Sequence, residues 1–268
     1  MPELPEIANL ARQLDQRLPG KQIGGIEVVQ PKCLNLPAED FRAALVGATL
    51  HSASYHGKWI QVHSDRGWLL LNLGMGGEIL LVKADQLPEK RRVVLAFTDG
   101  ECLSINFWWF GSVHYVPEGE LEQHPQAGKL GPNAIEVDAG QLKGLLHGQR
   151  GTLKPFLLNQ ARIAGIGNAY VHDILFLARL HPLRKIPSLS QAEIEALAGA
   201  IQDGLRPSLD QGGAFYEVDT YGNKGGFTFE QIRVGYREGQ PCPVCSTPIE
   251  KIKTGSTSSF ICPACQKL

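Results

Sequence analysis

Apolar residues recur at helical spacing at the start of the chain and again after residue 125, and between these regions they fall in short β-like runs. Ile7, Leu10, Leu14 and Leu18 share one face of a helix over 6–18 that stops before Pro19-Gly20. Seven short runs follow, at 23–29, 48–55, 59–63, 68–73, 78–82, 93–97 and 102–107, with Gly, Asp and Asn between them. That pattern predicts a β-sandwich. Beyond His124-Pro125 the stretches 139–146, 153–160, 169–180 and 190–205 read as helices, and Ser190 with Glu193 makes a capping box for the last. A Gly-rich stretch, 211–226, precedes a cysteine-containing tail. The expected fold class is α+β and multi-domain: a sandwich with its N-terminal helix (1–125), a helical domain (126–232) and a small metal module (233–268).

The tail carries the clearest chemistry. Cys242-Pro-Val-Cys245 and Cys262-Pro-Ala-Cys265 are separated by sixteen residues. Two such pairs match a four-cysteine site for one structural zinc, each pair a knuckle and the stretch between them a β-hairpin. Two disulfides are the alternative; no secretory signal is expected in the sequence, and a long cytosolic chain favours metal. Cys33 and Cys102 have no partners at such spacing and are expected to be buried apolar residues.

The head of the chain is Met1-Pro2-Glu3-Leu4-Pro5-Glu6. Removal of Met1, expected because residue 2 is small, would make Pro2 a secondary amine. An α-amine has a pKa near 8, well below that of lysine, so a usable fraction is unprotonated at neutral pH and able to form a Schiff base. Glu3 and Glu6 stand beside it, one able to shuttle protons and the other to orient the site. Taken alone, Pro2 would be a stiff terminal residue and nothing more.

Composition narrows the partners. With 43% hydrophobic and 20% charged residues the chain is ordinary globular protein. No apolar run reaches the roughly 18 residues of a membrane span. The net charge of −1 does not advertise nucleic acid, but its distribution permits it. Residues 81–140 hold five Lys/Arg against nine Asp/Glu, whereas 151–190 hold five basic residues against Asp173 and 233–268 five against Glu238 and Glu250. The second half can therefore present a positive face to phosphates. There Ala164-Gly-Ile-Gly167-Asn168 joins two expected helices. The turn would suit a phosphate at the following helix start, with Asn168 capping that helix or bonding the phosphate and Arg150 and Lys154 nearby as cations. A plain helix–turn–helix corner is the simpler account of it.

Together these motifs resemble the bacterial formamidopyrimidine-DNA glycosylase and endonuclease VIII family over essentially the whole chain. They stand in the family's order: MPELPE at the start, HGKW around Lys58, LGMGG around Met75, LGPNAIE at 130–136, LKPFLLNQARIAGIGNAYVHDILF at 153–176, YREGQPC at 236–242 and FICPACQ at 260–266. The resemblance implies a β-sandwich, a helix–two-turns–helix domain and a zinc finger, and a base-excision glycosylase with abasic-site lyase activity. Its partner would be double-stranded DNA with a damaged base or abasic site, met by a monomer in the bacterial cytoplasm, at the nucleoid when bound. By the same resemblance Pro2 attacks the sugar C1′, Glu3 is the general acid or base, Glu6 supports, and Lys58 contacts phosphate and assists elimination. Met75 and Phe110 would fill the gap left by a flipped-out base, although either alone would pass for a core residue.

Departures from the family pattern are equally specific. The finger hairpin usually reads G-G-R-S-T, but here 255–259 is Gly-Ser-Thr-Ser-Ser, so Thr257 stands where the arginine belongs, without a cation or a bidentate fork. The usual R-R-F-G is Trp108-Trp109-Phe110-Gly111, in which Trp108 could stack on the orphaned base. The usual third glutamate is Ala8, and the loop at 216–227, YEVDTYGNKGGF, is atypical. Loss of δ-elimination is one expected consequence. A non-catalytic binder of damaged or distorted DNA on the same scaffold is the alternative function, and a zinc-ribbon protein without a DNA role the remaining one.

Overall fold

The computed structural model describes residues 1–255 and 257–268. The chain divides into two compact units. The first comprises Met1–Lys129 and Gln211–Gly226, and the second Leu130–Asp210 and Phe227–Leu268. The Gly-rich segment thus belongs with the N-terminal residues, and the cysteine tail shares a unit with the helices.

In the first unit, helix α1 (Leu4–Arg17) leads into β1 (Ile23–Val28), α2 (Ala38–Leu45), β2 (Leu50–His56), β3 (Trp59–Ser64), β4 (Gly67–Asn72), β5 (Glu78–Lys83), β6 (Val93–Phe97), β7 (Glu101–Asn106) and β8 (Ser112–Val116). The strands form two antiparallel four-stranded sheets, ordered β1-β6-β7-β5 and β2-β3-β4-β8. Alternate residues of both sheets, among them Val93, Leu95, Leu103 and Ile105 from one and Ile60, Val62, Leu69 and Leu71 from the other, join a single core. That is the period-2 burial of a sandwich. All seven expected strands are present; α2 and β8 are additions.

Helix α1 is unusual in being buried on every side from Leu4 to Ala11, polar residues included. Its apolar residues Ile7, Leu10, Ala11 and Leu14 enter the sandwich core. Its polar face is covered by 211–226: Asn9 donates to the Gly212 carbonyl (3.0 Å), Gln13 donates to Asp219 (3.1 Å), and Gln13 accepts from the Thr220 N–H (3.0 Å) and hydroxyl (2.8 Å). Two glycines make this approach possible. A Cβ on Gly213 (φ +102°) would sit 3.1 Å from Glu6 Cγ, and one on Gly225 would strike the Gly213 carbonyl oxygen at 2.1 Å.

The second unit contains α3 (Ala139–Leu146), α4 (Leu153–Leu158), α5 (Val171–Leu177) and α6 (Gln191–Asp210), then the hairpin β9 (Glu250–Thr254) and β10 (Thr257–Ile261). Helix α6 runs beyond its expected end at 205, through Pro207. The tail is not a separate core: Phe176 of α5 packs with Val234, Cys242, Ile249, Phe260 and Cys262.

Candidate active site and nucleic-acid interface

At the N-terminus the geometry follows from the two prolines and two glutamates. Glu3 is extended (φ −109°, ψ −170°) at the N-cap of α1, and Pro5 lies in the first turn, where its missing N–H costs no hydrogen bond. Glu6 Oε2 accepts the Glu3 N–H at 2.9 Å, and Glu6 Oε1 accepts the Ala214 N–H at 3.1 Å. Glu6 therefore locks residue 3 to α1 and α1 to the glycine segment. Pro2, Glu3 and Glu6 are all buried, whereas Met1 is 47% exposed. A residue that sequence inspection passed over joins them. Glu217 Oε1 lies 3.5 Å from the terminal nitrogen, with its side chain 12% exposed. Burial pushes its carboxyl up to about 7, Glu6 and Glu3 push the same way, and the N-terminal ammonium opposes them. The departure of the 216–227 loop from the family pattern was the available signal, although nothing in the sequence placed it beside residue 1.

Lys58 is half-buried in the Gly57-Lys58 turn between β2 and β3, where Gly57 has φ +57° and the Lys58 carbonyl accepts from Asn72 Nδ2 (3.1 Å). The turn is thereby pinned to the end of β4. Met75 is 45% exposed and paired with the next loop: its N–H donates to the Trp109 carbonyl and its carbonyl accepts the Trp108 N–H, both at 2.8 Å. Trp108, Trp109 and Phe110 are 66%, 66% and 81% exposed. The Trp108 ring lies over Gly76, whose added Cβ would meet it at 2.5 Å, and Phe110 holds a positive φ of 60°. Met75 and Phe110 are thus not core residues. Residues 108–110 form a run of three exposed aromatic side chains, more apolar surface than isolated exposed residues would give.

In the second unit the turn around Gly167 is braced from within. Gln160 accepts the Gly165 N–H (2.9 Å) and donates to the Ile166 carbonyl (2.8 Å), while Ala164 pairs with Pro132 and Ala134. Gly167 is buried, and its carbonyl accepts the Val171 N–H. Helix α5 has seven residues rather than the expected twelve, and its N-cap is Tyr170. Asn168 therefore does not cap it, because residues 167–170 form an intervening turn. Its Nδ2 donates to the Tyr236 hydroxyl (3.2 Å), and its Oδ1 is buried with no hydrogen-bond partner among the described residues. Asp173, unremarked in the sequence beyond its charge, holds Tyr236 in place by accepting the N–H groups of Arg233 (2.7 Å), Val234 (2.9 Å) and Gly235 (3.0 Å).

The two expected cations part company. Arg150 is exposed. Lys154 is not: it is 1% exposed and donates to the Ser258 carbonyl (2.5 Å), Ser259 Oγ (3.0 Å) and Thr254 Oγ1 (3.4 Å). Burial brings its ammonium down to about 8. The expectation of a phosphate-facing Lys154 is corrected by this placement, since α4 aims the side chain under the hairpin. Thr257 is exposed at the start of β10. Lys253 is exposed on β9, while Lys251 is held 5.9 Å above the Phe260 ring.

The four cysteines converge: Cys242, Cys245, Cys262 and Cys265 have all their sulfurs within 4.8 Å of one another. Sulfur separations of 3.9 Å (242–265), 3.4 Å (245–262) and 3.5 Å (245–265) are far beyond a disulfide bond. They bracket the edge of about 3.8 Å that a zinc tetrahedron with 2.3 Å bonds would have. The donor set fits one structural zinc. Cys33 and Cys102 are buried, and burial pushes the Cys33 thiol up to about 11, the opposite of a reactive cysteine.

Comparison with known proteins agrees with this architecture at each step. Residues 1–106 match the formamidopyrimidine-DNA glycosylase N-terminal domain, 130–219 its H2TH domain, and 239–268 the zinc finger found in FPG and IleRS. The formamidopyrimidine-DNA glycosylase of Symbiobacterium thermophilum is 34% identical over 99% of this chain and 89% of its own length, and that of Pelobacter propionicus 33% identical over the whole of both. Among solved structures, a Lactococcus lactis FPG mutant bound to Fapy-dG-containing DNA superposes with a TM-score of 0.91 at 28% identity, covering all of both chains. The L. lactis enzyme with abasic-site DNA also gives 0.91 at 28% identity, covering 99% of this chain and all of the other. A buried proline–glutamate N-terminus, an exposed apolar loop and a four-cysteine finger, matched in order from end to end, place this chain in the formamidopyrimidine-DNA glycosylase family.

Proposed function

We propose that this chain is a base-excision-repair DNA glycosylase with abasic-site lyase activity, acting through a Schiff base on the Pro2 nitrogen. The observation that carries the reading is the N-terminal geometry: Pro2 leads into a glutamate-capped helix whose Glu6 is locked by two backbone N–H groups. Such fixed geometry suits nucleophilic catalysis, and a binding protein has no need of a secondary amine at its terminus. Removal of Met1 uncovers the amine. Glu3 exchanges protons with the sugar, and Lys58, pinned on its turn, contacts phosphate and assists elimination. Met75, Trp108 and Phe110 fill the stack beside the extruded nucleotide. In the second unit Arg150, Gly167 and Asn168 hold backbone phosphates, and Lys154 positions the finger hairpin from below. Zinc, held by the four cysteines, supplies structure and no chemistry to the reaction.

The substrate is double-stranded DNA carrying a ring-opened purine of the Fapy type or an abasic site, as in the L. lactis complexes. With Thr257 at the hairpin the lyase stops after β-elimination. The setting is the bacterial cytoplasm; among the described residues no helix is long and apolar enough to cross a membrane. A panel of duplexes, each with a single oxidised, ring-opened, alkylated or abasic position, tests this reading. Free base and a nicked strand are expected from at least one damaged-base duplex. Tight binding without cleavage of any duplex would instead favour the scaffold as a non-catalytic binder.

A further inference from the structure

We propose that Glu217 is the proton acceptor for the terminal amine, a further catalytic carboxylate contributed by the glycine-framed segment; the role rests on the Pro2 reading above. Three observations carry it. Glu217 Oε1 lies 3.5 Å from the nitrogen of residue 1, and with Met1 gone the new terminus lies one residue further along, a step of about 3.8 Å between Cα atoms. The Glu217 backbone is fixed at both groups, its N–H on the Ala214 carbonyl (3.0 Å) and its carbonyl on the Gly225 N–H (3.3 Å). Of the two other nearby carboxylates, Glu6 already holds a backbone N–H on each oxygen and Glu3 serves the sugar in the reading above.

The charged groups facing Glu217 are the terminal ammonium, Glu6 and Glu3, all at the start of α1. With its carboxyl at about 7, Glu217 is poised near the pH at which it must work. A proline amine is mostly protonated there and cannot attack. Glu217 takes one N–H proton, and the freed lone pair bonds to the sugar C1′. The glycosidic bond breaks, its electron pair leaves with the base, and the base takes the proton from the Glu217 carboxyl. The second N–H proton passes by way of Glu3 to O4′ as the C1′–O4′ bond opens, leaving the iminium. Both ammonium protons are accounted for, and no oxidant or co-reactant is required.

The test is single-turnover borohydride trapping on an abasic duplex at saturating protein, from pH 5.5 to 9.5, for wild type and for Glu217→Gln, Glu217→Asp and Glu217→Ala. Wild type should speed up as pH rises through about 7 and then level off. Glu217→Gln should be slower by about 100-fold at pH 7, a typical general-base contribution, and should recover only at higher pH where the amine loses its proton unaided. Glu217→Asp should retain part of the rate, and added formate should speed up Glu217→Ala, which a merely structural role would not allow. A wild-type profile in Glu217→Gln, or a slow Glu217→Ala that formate leaves unchanged, would overturn the proposal. Peptide mapping of the wild-type adduct separates the two readings. An adduct away from residue 2, or none, defeats both; an adduct on residue 2 with an unaltered Glu217→Gln profile defeats only the role of Glu217.

Discussion

Lys154 donates to the Ser258 carbonyl from a position with 1% exposure, beneath the hairpin whose tip carries Thr257. A cation so enclosed cannot release counterions from DNA, whereas the exposed Arg150 can. Arg150→Ala should therefore reduce the slope of log affinity against log salt by about 1. Lys154→Met should weaken binding while leaving that slope intact. The same pair gives a sign in pH. The folded-state pKa of Lys154, about 8, lies below its ordinary value of 10.5, so between these two values the unfolded chain binds more protons and stability rises with pH, levelling off above them. Denaturant titrations should show this rise in wild type relative to Lys154→Met.

The aromatic loop separates binding from stability. Trp108 and Phe110 are 66% and 81% exposed, so their truncation should leave the melting temperature nearly unchanged. Stacked against an opened base step, each should contribute roughly 1–3 kcal/mol to the affinity for abasic DNA. Fluorescence anisotropy of Trp108→Ala and Phe110→Ala checks this, and affinity equal to wild type in both would remove the loop from the interface.

The zinc prediction rests on the shared core of Phe176, Phe260 and Cys262. Metal binding supplies much of the folding free energy of such small modules. Metal analysis should find one zinc per chain in wild type and none in Cys262→Ala. That variant should also lose DNA affinity while the sandwich stays folded, as judged by amide exchange of β1–β8. Zinc retained at full stoichiometry would contradict the four-cysteine assignment.

How far the sequence reached depended on whether a feature was local. The helix of 139–146 and all seven β-like runs were readable because periodicity and turn residues are local properties. The strand Ser112–Val116 was missed because it follows directly on the exposed Trp108–Gly111 loop and carries three half-buried residues, which blur its alternation. Helix α2, starting after Pro37 with only Phe41 and Leu45 buried, shows too little apolar periodicity to detect. In the site, the cysteines and the MPELPE run were legible because spacing alone defines their chemistry. Glu217, Asp173 and the burial of Lys154 were not, since each depends on a contact spanning from about 60 to more than 200 residues of chain.

Thr257 carries the prediction on reaction outcome. Charge-assisted phosphate contacts are the strong ones, and their loss costs roughly 1.5–3 kcal/mol. Thr257→Arg should raise affinity for abasic DNA and yield the δ-elimination product, which wild type should form weakly or not at all. Gel analysis of the cleaved ends distinguishes the two products, and complete β,δ-elimination by wild type would assign that step to another residue.

The central claim is that the Pro2 nitrogen is the nucleophile, and the direct measurement is the site of the borohydride-trapped adduct. Wild-type protein trapped on an abasic duplex and digested should yield a peptide lacking Met1 and carrying the sugar on Pro2, and Pro2→Gly should sharply reduce trapping. An adduct on Lys58 or any other lysine, or undiminished trapping by a chain that retains Met1, would contradict the account.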